Sequence, residues 1–276
     1  MAPYALPEIS TAAKLGLLGD THGNLPFTLE ALATFKLLGV SCLIQLGDFG
    51  FVWRGERKGD RNLDRISKFL GERQMALYFL DGNHEAFDRL LRYPLASDGT
   101  RVVRGNIRHL PRGFRTFLGD GRSVAVLGGA GSVDRSYREP SRSWWAAEAI
   151  TESDLEALGT AHADILFSHE APAPLAAVDA GLIGSGFPVE DIAYAEQVRS
   201  MLTRGFMAVR PSLAFHGHHH SFRDSVEVFG RGENAFESRV IGLDRDLQGR
   251  PSLAVIDVKG GGGIRFFTGA GDPVGE

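Results

Sequence analysis

The chain has 276 residues, of which 43% are hydrophobic and 23% charged, so it is long enough for one large domain or two small ones with a sizeable core. No apolar run approaches the ~18 residues that a membrane span requires, which excludes an integral membrane protein. The formal net charge of −4 argues against nonspecific binding to nucleic acid or to a membrane surface, and two bound divalent cations would cancel it.

The cysteine content and the N-terminus bear on the cellular compartment. Cys42 is the only cysteine and lies in an apolar stretch, so no intrachain disulfide is possible. Residues 1–13 contain Pro3 and Pro7 and lack both a basic start and an apolar segment of signal-peptide length. We therefore expect a cytoplasmic protein with a flexible extension over residues 1–13. Residues 14–276 are expected to form a single domain, because no linker divides them.

Five short apolar runs each end in a polar cluster, as buried strands do when they deliver a functional loop. In chain order the runs cover residues 15–18, 42–46, 76–80, 164–167 and 212–215. Between the first three lie residues 25–38 and 63–70, whose apolar side chains recur at helical spacing. This alternation predicts an α/β sheet, and open α/β sheets bind ligands beyond the carboxyl ends of their strands. The five polar clusters are therefore expected to form one site.

Further strands are predicted in the second half of the chain. Residues 123–127, 225–229, 239–243 and 253–258 are typical of strands in a second sheet, and residues 264–267 of a last strand. An arginine series at spacings of three and four is interrupted by Gly and Pro, which favour strands and turns over a helix. We interpret it as solvated surface and not as a nucleic-acid track. The series consists of Arg101, Arg104, Arg108, Arg112 and Arg115.

Histidines and acids are concentrated in the strand-end clusters. A lone histidine in a loop is usually a surface residue, and an aspartate after glycine usually belongs to a turn or a helix cap. Here, however, five of the nine histidines stand beside two aspartates and an asparagine: His22, His84, His169, His218, His220, Asp20, Asp48 and Asn83. Imidazole nitrogens and carboxylate oxygens suit divalent ions such as Mn, Fe or Zn, and this many donors exceed what one ion needs. The count therefore predicts two metal ions.

The same clusters resemble the calcineurin-like metallophosphoesterase superfamily. The matching blocks, in the order of that family, are Gly19-Asp20-Thr21-His22-Gly23-Asn24, Gly47-Asp48, Gly82-Asn83-His84-Glu85, Ser168-His169 and Gly217-His218-His219-His220. They extend from residue 19 to residue 220, about three quarters of the chain. The resemblance implies a four-layer α/β/β/α sandwich of two mixed β-sheets flanked by helices, with two metal ions at the mouth of the sheets.

The resemblance also implies a role for each donor. One ion is expected to be bound by Asp20, His22 and His220 and the other by Asn83, His169 and His218, with Asp48 bridging both. Mn²⁺ is the favoured ion, with Fe, Zn, Ni and Mg as alternatives. Two such ions polarise phosphate oxygens and lower the pKa of a shared water, so the attacking group is a metal-activated hydroxide. His84, off the metals, is expected near the leaving group as the catalytic residue, with Glu85 or Asp81 orienting it.

One block departs from the phosphoprotein phosphatases of this superfamily, which continue it as Gly-Asp-x-x-Asp-Arg-Gly. Here Phe51 takes the place of the acid that pairs with the catalytic histidine, and Val52 that of the arginine that clamps phosphate. Arg54 is a candidate replacement, although its charged surroundings are typical of a solvated loop. We therefore expect a small phosphomonoester, phosphodiester or nucleotide as substrate, with a phosphoprotein as the alternative.

Residues 128–145, called segment 128–145 below, are the candidate for substrate recognition. They combine a glycine-rich loop with Arg135 and Arg138, whose guanidinium forks suit phosphate, and with Trp144 and Trp145, whose rings suit stacking on a base. The alternative is that the two tryptophans fix a following helix, residues 146–158, onto the domain.

The sequence as a whole predicts a two-metal phosphoester hydrolase. A non-catalytic scaffold of the same fold is the alternative from another class. It is disfavoured because scaffold relatives typically lack metal ligands or the free histidine, whereas this chain lacks none of them. The motifs leave open whether the substrate is a nucleotide, a cyclic nucleotide, a nucleic acid or a phosphoprotein, and they leave the oligomeric state open.

Overall fold

The structure, a computed structural model, describes residues 3–53, 57–176, 178–179, 186–246 and 249–274. Its strands in chain order are β1 (Lys14–Leu18), β2 (Cys42–Gln45), β3 (Ala76–Phe79), β4 (Arg101–Arg104), β5 (Ile107–His109), β6 (Arg115–Phe117), β7 (Ser123–Leu127), β8 (Ile165–Ser168), β9 (Leu213–His216), β10 (Arg223–Phe229), β11 (Phe236–Gly242), β12 (Pro251–Asp257), β13 (Ile264–Thr268) and β14 (Pro273–Val274). Its helices are α1 (Pro7–Ser10), α2 (Leu25–Leu37), α3 (Arg57–Glu72), α4 (Phe87–Leu90), α5 (Glu152–Leu158) and α6 (Val189–Val209).

The strands form two mixed sheets. Within the described ranges, the first sheet has eight strands in the order β14-β13-β12-β1-β2-β3-β5-β4, and the second has six in the order β10-β11-β9-β8-β7-β6. Strands β1, β2 and β3 are parallel to one another, and so are β7, β8 and β9. The carboxyl ends of the parallel strands therefore lie together at one edge of each sheet.

Apolar side chains on both faces of the central strands hold the layers together. In β1, Leu15 and Leu17 belong to the core between the two sheets, whereas Leu18 belongs to a second core that includes side chains of α2 and α3. A third core joins the outer face of the second sheet to α5 and α6. Central strands of parallel sheets are apolar on both faces for this reason. The predicted four-layer α/β/β/α sandwich is confirmed.

Strand β12 lies in a different sheet from the one predicted. It pairs antiparallel with β1, where Ala254 is opposite Leu17, and β13 pairs with β12 in turn. The prediction that residues 253–258 belong to the second sheet is therefore wrong. Ala254 contributes to the core between the sheets and Leu253 to the core under α2. Because both faces of β12 are apolar, its sequence pattern fits a central position in either sheet.

Residues 3–13 pack against the domain, which differs from the flexible extension expected there. Leu6 and Ile9 are buried in the core between the sheets. The backbone N–H of Tyr4 donates to the carbonyl of Arg115 at 2.8 Å, which ties this segment to β6. Pro7 begins α1 with its φ already set for a helix. Burial of two apolar side chains at helical spacing is the physical reason for the order of this segment.

Two helical segments in the second half of the chain differ from the sequence prediction. The helix expected over residues 146–158 is divided into a 3₁₀ turn, Ala146–Glu148, and α5, which starts after a capping box formed by Thr151 and Asp154. Helix α6 had no counterpart in the sequence prediction, and it packs Leu202 and Phe206 into the third core. No helix in the described part of the chain is long and apolar enough to cross a membrane.

Candidate metal centre

The side chains of the predicted site follow the carboxyl ends of five strands from both sheets. They are Asp20 and His22 after β1, Asp48 after β2, Asn83 and His84 after β3, His169 after β8, and His218 and His220 after β9. The structure brings all of them to the same edge of the sandwich. The local sequence places each residue at the end of a strand, and the packing of the two sheets then brings the strand ends together.

The backbone at this edge is strained. Positive φ angles occur at four of the site residues: His22 (44°), Asp48 (53°), His218 (65°) and His220 (46°). Non-glycine residues in this region cost about 1–3 kcal/mol each and cluster at functional sites. The packing around them is tight as well, because a side chain at Gly82 would collide with Asp48 and one at Gly217 would collide with Asp20. These glycines let the backbone approach the two carboxylates closely.

The first group of donors consists of Asp20, His22, Asp48 and His220. One ligand atom from each lies within 4.8 Å of every other. Nε2 of His22 is 3.4 Å from Oδ2 of Asp48, and Nε2 of His220 is 3.2 Å from Oδ2 of Asp20. Two imidazole nitrogens and two carboxylates thus converge on one point, which is a donor set that divalent transition metals prefer.

The second group of donors contains Asp48, His169 and His218, whose ligand atoms also lie within 4.8 Å of one another. Nε2 of His169 is 3.4 Å from Oδ1 of Asp48 and 3.3 Å from Oδ1 of Asn83. The Asn83 amide oxygen therefore joins the second group. Asp48 belongs to both groups, with Oδ2 facing the first and Oδ1 facing the second.

Burial and charge make this a site that favours cations. Asp20 and Asp48 are almost completely buried. Burial opposes the ionisation of Asp48, yet His169 and His84 hold the pKa of its carboxyl well below its usual range. Burial also opposes protonation of His169, yet Asp48 and Asp20 raise the pKa of that imidazole to about 10. Two buried carboxylates need compensating positive charge, and nitrogen and oxygen donors of this kind fit divalent ions.

Several neighbours orient the histidines. Nδ1 of His169 is 2.7 Å from the carbonyl of Leu46, which directs Nε2 into the second group. Nδ1 of His22 is buried and faces Oδ1 of Asp246 at 3.5 Å. His219 lies 2.7 Å from Glu170, whose other carboxylate oxygen is 3.5 Å from His218. Outer partners of this kind fix the ring orientation of metal-binding histidines.

His84 lies beside Asp48 and His22 and has an arginine as its partner. Its backbone N–H donates to Oδ1 of Asp48 at 2.7 Å, and its Nε2 is 2.9 Å from a guanidinium nitrogen of Arg138. Arg138 is itself held by Asp134 at 2.8 Å. Burial lowers the pKa of His84, and Arg138 adds to this effect. Because a guanidinium has only donors, Nε2 of His84 accepts this hydrogen bond from Arg138.

Neither carboxylate expected to orient His84 contacts its ring among the contacts that the structure describes. Glu85 accepts a hydrogen bond from the backbone N–H of Phe49 at 2.7 Å, so it shapes the loop after β2. Asp81 binds Arg112 and His109 on the far side of the loop after β3. The sequence motif contains both acids, but their direction depends on the turn that follows β3.

The two arginines of segment 128–145 lie in different surroundings. Arg138 lies at His84, whereas Nε of Arg135 lies 3.3 Å from Asp191 of α6 and its guanidinium stacks on the ring of Tyr194. Trp145 is 7% exposed and packs edge-on against Trp53. This packing favours a structural role for Trp145 over stacking on a base. Arg54, the other candidate for a phosphate clamp, lies outside the described residues.

Two arginines interpreted from sequence as solvated are largely removed from solvent: Arg115 is 7% exposed, and the Arg112 side chain, 9% exposed, supports the site. Its guanidinium binds Asp81 at 2.7 Å and Asp154 at 3.2 Å. It also donates to three successive backbone carbonyls, those of Ala147, Glu148 and Ala149. The interpretation was wrong because charged residues are usually exposed, and only the fold supplies enough partners to bury this one.

We expect Arg112→Met to lower the free energy of unfolding by about 3–5 kcal/mol, since it removes the guanidinium from the buried Asp81 carboxylate and leaves His109 as its remaining side-chain partner. Burial opposes the ionisation of Asp81, but Arg112 holds its pKa far below the usual range. The contribution is therefore fully present at neutral pH and is lost progressively as the pH falls below the ordinary aspartate pKa of 3.8 toward the lower pKa of folded Asp81. Urea unfolding at pH 7 measures it. The control is Arg204→Met, whose exposed pair with Glu152 contributes little to stability because solvent screens it, and equal losses in both variants would contradict the assignment.

Comparison with known proteins agrees with this architecture. The family model described as calcineurin-like phosphoesterase matches residues 13–222. A search of curated proteins found no match. Among solved structures, TT1561 of Thermus thermophilus is 15% identical with a TM-score of 0.51, over 93% of this chain and 98% of that one. A dimetal phosphatase from Danio rerio is 13% identical with a TM-score of 0.50, over 88% of this chain and 91% of that one.

The two structural likenesses establish the fold, and the family model establishes the relationship. That model covers more than half of the chain, and its match includes each strand end that carries a donor residue. The chain belongs to the calcineurin-like phosphoesterase family.

Proposed function

We propose that this protein is a phosphoester hydrolase that requires two divalent metal ions, with Mn²⁺ favoured and Fe, Zn, Ni and Mg as alternatives. The observation that carries the proposal is the pair of donor groups that share Asp48. Asp20, His22 and His220 would hold one ion, Asn83, His169 and His218 the other, and Asp48 both. When bound, two such ions supply Lewis-acid activation of water and of phosphate oxygens. A non-catalytic scaffold is disfavoured because all these donors and His84 converge.

His84 and Arg138 are the proposed residues for the phosphate and the leaving group. Arg138 is 12% exposed and already lies at hydrogen-bond distance from Nε2 of His84. A guanidinium that binds phosphate oxygens gives up this contact with the imidazole. The phosphate charge then raises the pKa of His84, so the imidazole takes up a proton from solvent and later donates it to the departing oxygen.

The substrate we propose is a small phosphomonoester, phosphodiester or nucleotide. Phe51 and Val52 stand where phosphoprotein phosphatases carry an acid and an arginine, and both are buried in the core under α2 and α3. These positions therefore offer neither a carboxylate nor a guanidinium to a phosphopeptide. Arg138, which lies 2.9 Å from His84, is the cation that we propose for the phosphate, and it comes from segment 128–145 instead.

A panel of substrates with added Mn²⁺ tests this proposal. The panel contrasts aryl phosphomonoesters, bis-aryl phosphodiesters, nucleotides, cyclic nucleotides and phosphopeptides, and kcat/KM is measured for each. We expect hydrolysis of at least one small ester and poor hydrolysis of phosphopeptides. Higher kcat/KM for phosphopeptides than for every small ester would overturn the substrate class, and no hydrolysis of any class would favour the scaffold.

The two arginines of segment 128–145 are expected to differ in their effect on KM. Arg138→Ala should raise KM about ten- to hundredfold with unchanged metal content, because it removes a charged hydrogen bond worth about 1.5–3 kcal/mol. Arg135→Ala is the matched control, since Arg135 is engaged by Asp191, and its KM should change less than about threefold. Steady-state kinetics on the best substrate of the panel measures both. Similar KM values for the two variants would remove Arg138 from the substrate site.

A further inference from the structure

Asn83 differs from the other donors because its side chain has two chemically different ends. Its Oδ1 is 3.3 Å from Nε2 of His169, so it faces the second donor group. Its Nδ2 donates to Oγ of Ser132 at 3.1 Å. Only the oxygen can bind a metal ion, and a half-turn of the amide would present the NH₂ group in its place. Something must therefore fix the direction of this amide.

The Asn83 NH₂ group donates to the hydroxyl of Ser132. The other hydrogen bonds of Ser132 determine whether this hydroxyl can donate or only accept. Its backbone N–H donates to Oε1 of Glu148 at 2.8 Å, and its hydroxyl donates to Oε2 at 2.7 Å. Both residues are completely buried. A serine hydroxyl has one proton. Once this proton is given to Glu148, Oγ can only accept a hydrogen bond from Asn83.

Glu148 is held rigidly for this task. Its backbone carbonyl accepts a hydrogen bond from Arg112 at 2.9 Å, as do the carbonyls on either side. Burial raises the pKa of Glu148, while hydrogen bonds from Ser132, and to a smaller extent from Trp144 and Tyr194, favour its ionised form. The Glu148 carboxylate is thus buried, and Ser132 connects it to Asn83 by hydrogen bonds.

We propose that Glu148 is a positioning residue, which acts through the hydroxyl of Ser132 to keep the amide oxygen of Asn83 turned toward the second donor group. This inference rests on the proposed function, because it requires the second group to hold a metal ion. Glu148 fixes the direction of a hydrogen-bond chain of three side chains, and the chain ends at a metal ligand.

Glu148→Gln reverses this chain with almost no change in shape. The backbone N–H of Ser132 can only donate, so in the variant it donates to the amide oxygen of the substituted side chain. The NH₂ group of that amide then donates to Oγ of Ser132. The serine proton is left to point at Asn83, whose oxygen turns to meet it. The NH₂ of Asn83 then faces the second donor group. We expect the second ion to bind about 10–100-fold more weakly, in the range found for the outer partners of metal ligands.

Ser132→Ala provides the comparison that separates this mechanism from loss of packing. It removes the relay, so the Asn83 amide is free to adopt either direction, and the second ion should bind more weakly than in wild type but more tightly than in Glu148→Gln. Adding Glu148→Gln to Ser132→Ala should cause no further loss, because the effect of Glu148 passes through the missing hydroxyl. A purely structural role of Glu148 would produce the same loss in both backgrounds.

Calorimetric titration of the metal-free full-length chain with Mn²⁺, followed for both ions in wild type and the three variants, tests the inference. Circular dichroism verifies the fold, and Ser132→Ala alone still tests the relay if Glu148→Gln does not fold. The inference predicts that the second ion binds most tightly to wild type, less tightly to Ser132→Ala and least to Glu148→Gln. It is overturned if Glu148→Gln binds that ion as tightly as wild type or Ser132→Ala. Failure of wild type to bind two ions would instead refute the proposed function.

Discussion

Asp48→Asn is expected to weaken both metal ions together and to lower kcat/KM by more than about 10³-fold. Its two oxygens face different donor groups, at 3.4 Å from His22 and 3.4 Å from His169. The substitution removes one negative charge that both ions share, and bound ions of this kind contribute several kcal/mol to stabilising the transition state. Elemental analysis of the variant after Mn²⁺ loading, together with kcat/KM, measures the effect.

Asp246→Asn is the matched control for Asp48→Asn. Asp246 faces Nδ1 of His22 at 3.5 Å and belongs to neither donor group. The control should therefore weaken only the ion of the first group, by about 10–100-fold. Loss of one ion alone in Asp48→Asn would show that Asp48 does not bridge the two groups.

His84→Ala is expected to lower kcat by about 10²–10⁴-fold, the range found when a positioned proton donor is removed. Both ions should remain, because only the backbone N–H of His84 contacts Asp48 and alanine retains that N–H. The defect should shrink for esters with a good leaving group such as a nitrophenolate, since such a group needs little protonation on departure. Pre-steady-state and steady-state kinetics across leaving groups measure this dependence.

The leaving-group series also separates the two roles that His84 can play. An equal loss of kcat across all leaving groups would assign His84 to stabilising the phosphate instead of protonating the leaving group. Asn83→Ala is the neighbouring control, because Oδ1 of Asn83 lies in the second donor group. That variant should lose affinity for the second ion, which His84→Ala should retain.

The positions of the site residues could be predicted because the relevant signal is local. Asp20, Asp48 and His169 each follow an apolar run by one to three residues, and such runs become strands whose ends meet at one edge. The family resemblance then supplied the order of the blocks. Both kinds of information lie within short stretches of sequence and do not require the packing of distant segments.

The supports of the site could not be predicted in the same way. Asp246 reaches His22 from 224 residues further along the chain, and Glu148 reaches Asn83 only through Ser132. Arg112 was misinterpreted for the same reason, since its burial depends on carbonyls that the turn before α5 brings to it. Each of these contacts depends on tertiary approach, and an isolated acid or arginine in the sequence carries no sign of its partner.

The metal content of active wild-type enzyme tests the central claim most directly. Protein purified, stripped by chelation and reloaded with Mn²⁺ is analysed for manganese per chain while hydrolysis is followed on the same sample. The two donor groups that share Asp48 predict that chelation abolishes hydrolysis and that full activity returns with two ions per chain. Full activity with only one ion per chain would contradict this account.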